Sequence, residues 1–184
     1  MKRTVVAIME DRPGVLNRVV SVLRRRSFNI DSLTVGHTDQ TGISRMTIVV
    51  DGNDEVIEQV VKQLYKIIDV IKVSDVSGEK IVARELALIK VATTPSNRSE
   101  IMQIVDIYSS KIVDVALDSL MIEVTGPDEK IDSLIGLLRG FGIKEVVRTG
   151  RVALVRGSMA TRAPDEEPDV ARTRANTRGL RQAV

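Results

Sequence analysis

The feature that most constrains this chain is a doubled pattern: two stretches of roughly 75 residues each read strand, helix, strand, strand, helix, strand. In the first, Arg3 to Met9 is a β-branched, apolar run that Asp11-Arg12-Pro13-Gly14 breaks, after which Leu16, Val19, Val20 and Leu23 recur at helical spacing. Ser27-Phe28-Asn29 stops that helix, and alternating runs 29–37 and 43–51 flank the turn Thr38-Asp39-Gln40-Thr41-Gly42. Asn53 or Asp54 can cap a second helix whose buried stripe is Ile57, Val60, Val61, Leu64 and Ile67, and 70–76 is a fourth strand.

The order then recurs. Residues 86–92 read as a strand, and Pro95-Ser96-Asn97 opens a helix with Glu100 at capping-box spacing and Ile101, Ile104, Val105 and Tyr108 inward. Runs 111–117 and 119–124 form a hairpin. Gly126-Pro127-Asp128 opens a last helix (Ile131, Leu134, Ile135, Leu138) that Gly140 and Gly142 end, and 143–148 is the final strand. The predicted fold is α+β: two ferredoxin-like βαββαβ units, 1–78 and 79–157, followed by a tail, 158–184. The tail holds Pro164, Pro168, the acidic run Asp165-Glu166-Glu167 and scattered arginines, too little apolar bulk to fold, so it is expected to be disordered. A nucleic-acid-binding arm is the sharper reading of those arginines, but the acids dilute their charge and no aromatic residue is there to stack on bases.

Composition removes much chemistry. The 184 residues include no cysteine, no tryptophan and one histidine, which excludes thiolate, zinc-finger and two-histidine sites. His37, beside a hairpin turn, reads as an exposed strand-end residue without companions for a metal. Arg24-Arg25-Arg26 closes the first helix, where cations favour the negative end of the dipole, and Asp51, Asp54 and Glu55 sit at a helix start. No nucleophile has a visible base, so neither a catalytic nor a metal site is expected. A formal charge of +2 argues against an electrostatic nucleic-acid binder, and no run approaches the roughly 18 to 20 apolar residues of a membrane span. The N-terminus leads straight into a strand without a signal-peptide pattern, so the expected location is the cytoplasm.

The segment Glu10 to Leu16 carries the most information. A strand-to-helix turn presents unpaired N–H groups that can receive a carboxylate, worth roughly 0.3 to 1 kcal/mol for the charge term. Gly14 allows close approach, Pro13 fixes the turn without losing a needed donor, and Val15 and Leu16 offer an apolar wall. An ordinary turn in which Pro and Gly merely set geometry explains this segment as well when taken alone. Asn29, at the start of the next strand, can donate to a carboxylate and accept from an ammonium with one side chain, or simply turn its own backbone.

Taken together, Asp11-Arg12-Pro13-Gly14-Val15-Leu16 and the Asn29-Ile30 pair inside βαββαβ resemble the ACT family of amino-acid-sensing regulatory domains. Residues 10–16, 29–35, 44–48, 58–70 and 111–115 are further similar to the small regulatory subunits of acetohydroxyacid synthase, also called acetolactate synthase; the likeness spans about residues 2–156. The resemblance implies a non-catalytic chain that dimerises through its ACT units and binds and activates a large catalytic subunit. That subunit would carry thiamine diphosphate, magnesium and FAD and condense 2-oxo acids on the route to valine, leucine and isoleucine; this chain would carry no cofactor. It implies feedback by valine, with leucine or isoleucine as other effectors, held between Asp11, Pro13, Gly14, Val15 and Leu16 of one chain and Asn29 and Ile30 of the other. Asp11 departs from the asparagine of many ACT loops: it can accept from an ammonium but repels a carboxylate. The second half lacks the glycine loop, with Thr93-Thr94-Pro95-Ser96-Asn97 in its place, and the resemblance assigns it to partner contact around Arg98, Glu100 and Tyr108.

Two other classes fit the element order. A stand-alone ACT regulator of another enzyme or transcription factor would share the loop, and co-purification of a large thiamine-diphosphate enzyme separates the two. An RNA-recognition module shares βαββαβ but stacks bases on sheet aromatics, which these strands almost entirely lack.

Overall fold

The computed structural model describes residues 1–158 and 160–163. The first unit comprises β1 (Lys2–Glu10), α1 (Val15–Arg25), β2 (Ile30–His37), β3 (Ile43–Asp51), α2 (Asp54–Leu64) and β4 (Val70–Asp75), with sheet order β2-β3-β1-β4, all antiparallel. The second comprises β5 (Ile81–Ala92), α3 (Arg98–Ile107), β6 (Lys111–Val115), β7 (Ser119–Gly126), α4 (Asp128–Leu138) and β8 (Ile143–Arg148), in the matching order β6-β7-β5-β8. Both are ferredoxin-type α+β units, as the doubled pattern predicts.

β1 is apolar at consecutive positions because both of its faces are covered. Val5, Ala7 and Met9 pack with Met46, Ile48 and Val50 beneath the two helices, whereas Val6 and Ile8 belong to a smaller cluster with Val76, Ile81, Val155 and Ala163. That second cover comes from a ribbon the sequence reading did not anticipate. β5 begins at Ile81 rather than Leu86, and its first four residues pair with β9 (Val152–Val155). Four residues beside a glycine and two arginines give too short an alternation to be read as a strand; the packing against the first sheet is what makes them one.

Gly150 leads into this ribbon at a point of close approach. A Cβ there would lie 2.3 Å from Thr34 Oγ1 and 3.1 Å from the carbonyl oxygen of Leu33, so only glycine lets the chain pass over β2. Arg45, half-buried on β3, donates to the carbonyls of Thr161 and Ala153 at 2.8 and 2.6 Å, and its burial pulls its pKa below the usual guanidinium value. Arg151 donates to the Asp128 carboxylate at 2.6 Å and to Thr4 Oγ1 at 3.3 Å, which ties α4 to β1.

Three expectations shift. The buried stripe of α1 is Val15, Val19 and Leu23; Leu16 and Val20, placed inward by spacing, are 43% and 39% exposed, because they lie about 100° around the helix from that stripe. Residues 160–163 were expected to belong to the disordered tail, yet Ala163 is buried and Thr161 receives the Arg45 guanidinium, so the chain remains packed on the first unit beyond β9. The remainder of the tail reading, from Pro164, lies outside the described residues. The third is Asn97, whose side chain does not cap α3.

Candidate functional site

The β1–α1 turn is open. Gly14 is the N-cap of α1 at φ +88°, a left-handed conformation that favours glycine, and a Cβ there would meet no atom within 4 Å. No side chain caps the helix. The N–H of Val15 donates to the Arg12 carbonyl at 3.3 Å, and those of Leu16 and Asn17 have no acceptor among the described residues. The turn is anchored from both sides, since Glu10 N–H donates to the Asp69 carbonyl at 2.9 Å and Asp11 N–H to that of Gly42 at 2.7 Å. Val15 itself is buried in the core, so its side chain faces inward and only its backbone borders the turn; Leu16 and Val20 form the exposed apolar strip beside it.

Asp11 and His37 meet at this turn, with Nδ1 of His37 3.0 Å from Oδ2 of Asp11. His37 is exposed, as a strand-end residue should be, but its contact with Asp11 was not legible because 26 residues separate the two. The pairing joins the end of β2 to the first loop.

Asn29 and Ile30 lie elsewhere. Register pairs Ile30 with Val50 and His37 with Ser44, so Ile30 begins β2 at one end of the sheet while His37 and the turn stand at the other. Seven residues at about 3.3 Å place the two ends roughly 23 Å apart. Asn29 is exposed and its carbonyl accepts from Asp51 N–H at 3.0 Å; Ile30 packs partly into its own core. Within one chain the two segments do not converge.

In the second unit, Asn97 was expected to cap α3. Instead its Oδ1 accepts from Thr94 N–H at 2.7 Å and from Thr93 Oγ1 at 3.1 Å, because the αR backbone at Asn97 turns its amide back onto the loop. Arg98 donates to the carbonyls of Ala116 and Leu117, both at 2.9 Å, closing the β6–β7 turn, and Tyr108 hydroxyl meets Ser133 Oγ at 2.6 Å. Glu100 is exposed in the first turn of α3. Among the described residues no group of three His, Cys, Asp or Glu side chains could hold a metal, and no helix is long and apolar enough to cross a membrane.

Two ferredoxin-type units, the first with an open glycine turn between β1 and α1, define an ACT-type chain. A family profile for an "AHAS small subunit-like ACT domain" matches residues 6–72, and one described as "Small subunit of acetolactate synthase" matches 84–157. The chain is 53% identical over 158 residues to a probable acetolactate synthase small subunit of Archaeoglobus fulgidus, covering 86% of this chain and 99% of that one. It is 49% identical over 160 residues to the acetolactate synthase small subunit of Bacillus subtilis, covering 86% and 92%. The crystal structure of the small subunit from Thermotoga maritima superposes with a TM-score of 0.80 at 39% identity, over 86% of this chain and 99% of that one. The chain belongs to the family of acetolactate synthase small subunits.

Proposed function

We propose that this chain is the non-catalytic regulatory subunit of an acetolactate synthase, that it activates the catalytic subunit, and that it carries feedback inhibition by valine. The observation that carries the sensing half is the separation of Asn29–Ile30 from the Asp11–Leu16 turn along β2. β2 is an edge strand. When two copies pair antiparallel along it, a two-fold axis sets the Ile30 end of one chain beside the His37 end of the other, and so beside its open turn. The two half-sites then form a whole.

In that whole, N–H groups of Leu16 and Asn17 donate to the effector's carboxylate and Asp11, held by His37, accepts from its ammonium. Leu16 and the opposing Ile30 enclose the side chain. Burying valine's isopropyl group is worth roughly 1.5 to 3 kcal/mol, enough to favour it over glycine tenfold or more. Leucine and isoleucine fit the same description less tightly in length and branching. Thiamine diphosphate, with magnesium and FAD, belongs to the catalytic subunit and supplies the condensation of 2-oxo acids; this chain contributes binding alone. An effector that bridges two chains stabilises whichever arrangement closes the site, and it shifts the catalytic partner only as far as its affinities for the two states differ.

The test is calorimetric titration of valine, leucine and isoleucine into the purified chain, followed by acetolactate assays with the catalytic subunit. Valine is expected to give the largest heat and to inhibit, and Gly14→Asp to remove both effects by placing volume and like charge in the turn. Inhibition of the Gly14→Asp complex equal to wild type would remove the turn from the site, and no change in the acetolactate rate on adding the chain would remove the activating role.

A further inference from the structure

The C-terminal end of α1 and the end of α2 enclose an open groove of about 850 Å³ on the helical face of the first unit. Arg18, Arg24, Arg25, Arg26 and Lys66 line it, and its single acid, Asp69, is already paired with Arg18. Among the described residues Arg24, Arg25, Arg26 and Lys66 make no ion pair. The concentration is local, since residues 1–78 as a whole carry eleven basic and ten acidic side chains. Favourable placement at a helix C-terminus accounts for Arg24 and Arg25, and for Lys66 just past the end of α2, one at a time, but it does not require the ends of the two helices to bring these cations to one groove.

The floor differs from the rim. Val22 is half-buried and Ile67 buried, while Ile68 is 92% exposed beside them. No aromatic side chain lines the groove, so it offers a nucleotide base nothing to stack on. A cationic rim around an aliphatic floor matches an amphipathic segment with carboxylates on both sides of an apolar residue.

We propose that this groove receives an acidic, amphipathic segment of the catalytic subunit, with carboxylates on Arg24, Arg25, Arg26 and Lys66 and an aliphatic side chain against Val22, Ile67 and Ile68. The inference rests on the regulatory-subunit reading and adds to it a second surface, on a different face from the β2 edge and from the second unit. It also assigns the Arg24-Arg25-Arg26 run a use beyond ending a helix.

The experiment measures binding of the purified full-length chain to the purified catalytic subunit by sedimentation velocity at low and high salt. The variants are Arg25→Glu/Arg26→Glu/Lys66→Glu and the neutral Arg26→Gln/Lys66→Gln, with valine calorimetry as the check that each remains folded. Affinity is expected to fall by at least about tenfold for the charge reversal and less for the neutral pair, with a flatter salt dependence in both. Wild-type affinity in both folded variants overturns the groove while leaving the regulatory reading intact. No wild-type binding at any salt overturns both. Tight binding of a single-stranded oligonucleotide that the same substitutions abolish, with catalytic-subunit binding unchanged, assigns the groove to nucleic acid and overturns the proposal.

Discussion

The turns after β1 and β5 occupy the same place in two copies of one topology and differ in what stands over the start of the helix. Between β5 and α3, Asn97 accepts from both Thr93 and Thr94, and Thr94 Oγ1 meets Ser96 Oγ at 2.9 Å, so side chains close the loop on itself ahead of the helix. Between β1 and α1 no side chain folds back over the turn: a left-handed glycine stands at the cap, with nothing within 4 Å of where a Cβ would lie, and the N–H groups of Leu16 and Asn17, like those of Ser99 and Glu100 in α3, have no acceptor among the described residues. The difference teaches where a ligand can enter a repeated fold: both helices carry unspent first-turn donors, but a turn that its own side chains close over is scaffold, and one that glycine leaves open lets an anion reach them.

The sheets differ in the same spirit. The face of the first sheet away from its helices is covered by the β5–β9 ribbon and residues 160–163, whereas the corresponding face of the second has Leu88 and Val147 paired across β5 and β8, with Val147 largely exposed. The strongest challenge to this asymmetry is Gly150→Ala. Its new methyl would overlap Thr34 and the Leu33 backbone, and a loss of about 2 kcal/mol or more is expected in urea unfolding. Gly36→Ala, which meets nothing within 4 Å, serves as the control and should change stability little. Equal stability of the two variants would mean that the ribbon does not depend on this close passage.

A paired exchange sharpens the comparison of turns. Asn97→Ala removes two hydrogen bonds and should cost about 1 kcal/mol of stability without altering valine affinity. Gly14→Ala should cost about as much, here from the left-handed backbone, but should also weaken valine binding. Calorimetry that finds the two variants equally affected, or equally unaffected, erases the distinction between scaffold and receptor.

Much of this architecture is legible without coordinates, because β-branched runs, helical spacing and Gly/Pro punctuation are local signals. β3 and β8 fall within the predicted bounds, and Asn53 caps α2 through Val56 N–H as its position suggests. What escapes is non-local. α1 carries apolar residues on more of its surface than one core can bury, so spacing alone could not choose Val15 over Leu16. β9 exists only because Val6 and Ile8 need a cover, and Asp11 finds His37 only through the β2–β3 register. The glycine turn and Asn29 were both visible as segments; their placement at opposite ends of β2 was not, because it depends on pairing.

The smallest expected effect concerns the tie between the units. The Asp128 carboxyl is partly buried, which alone would raise its pKa, but the Arg151 guanidinium beside it prevails and holds the value below the usual carboxylate range. Since the native value lies below the unfolded one, about 3.9, the carboxylate's contribution is complete above that pH and is lost as pH falls through the native value. Asp128→Asn should therefore cost no more than about 1 kcal/mol at neutral pH and should flatten the acid limb of the stability profile, because the same Arg151 still reaches Thr4 and Glu85. An acid limb as steep in the variant as in wild type would assign the acid sensitivity to other carboxylates. Asp75 is the first to examine, being held low by Ser77 and Arg3 against its own burial, and lying wholly within the first unit.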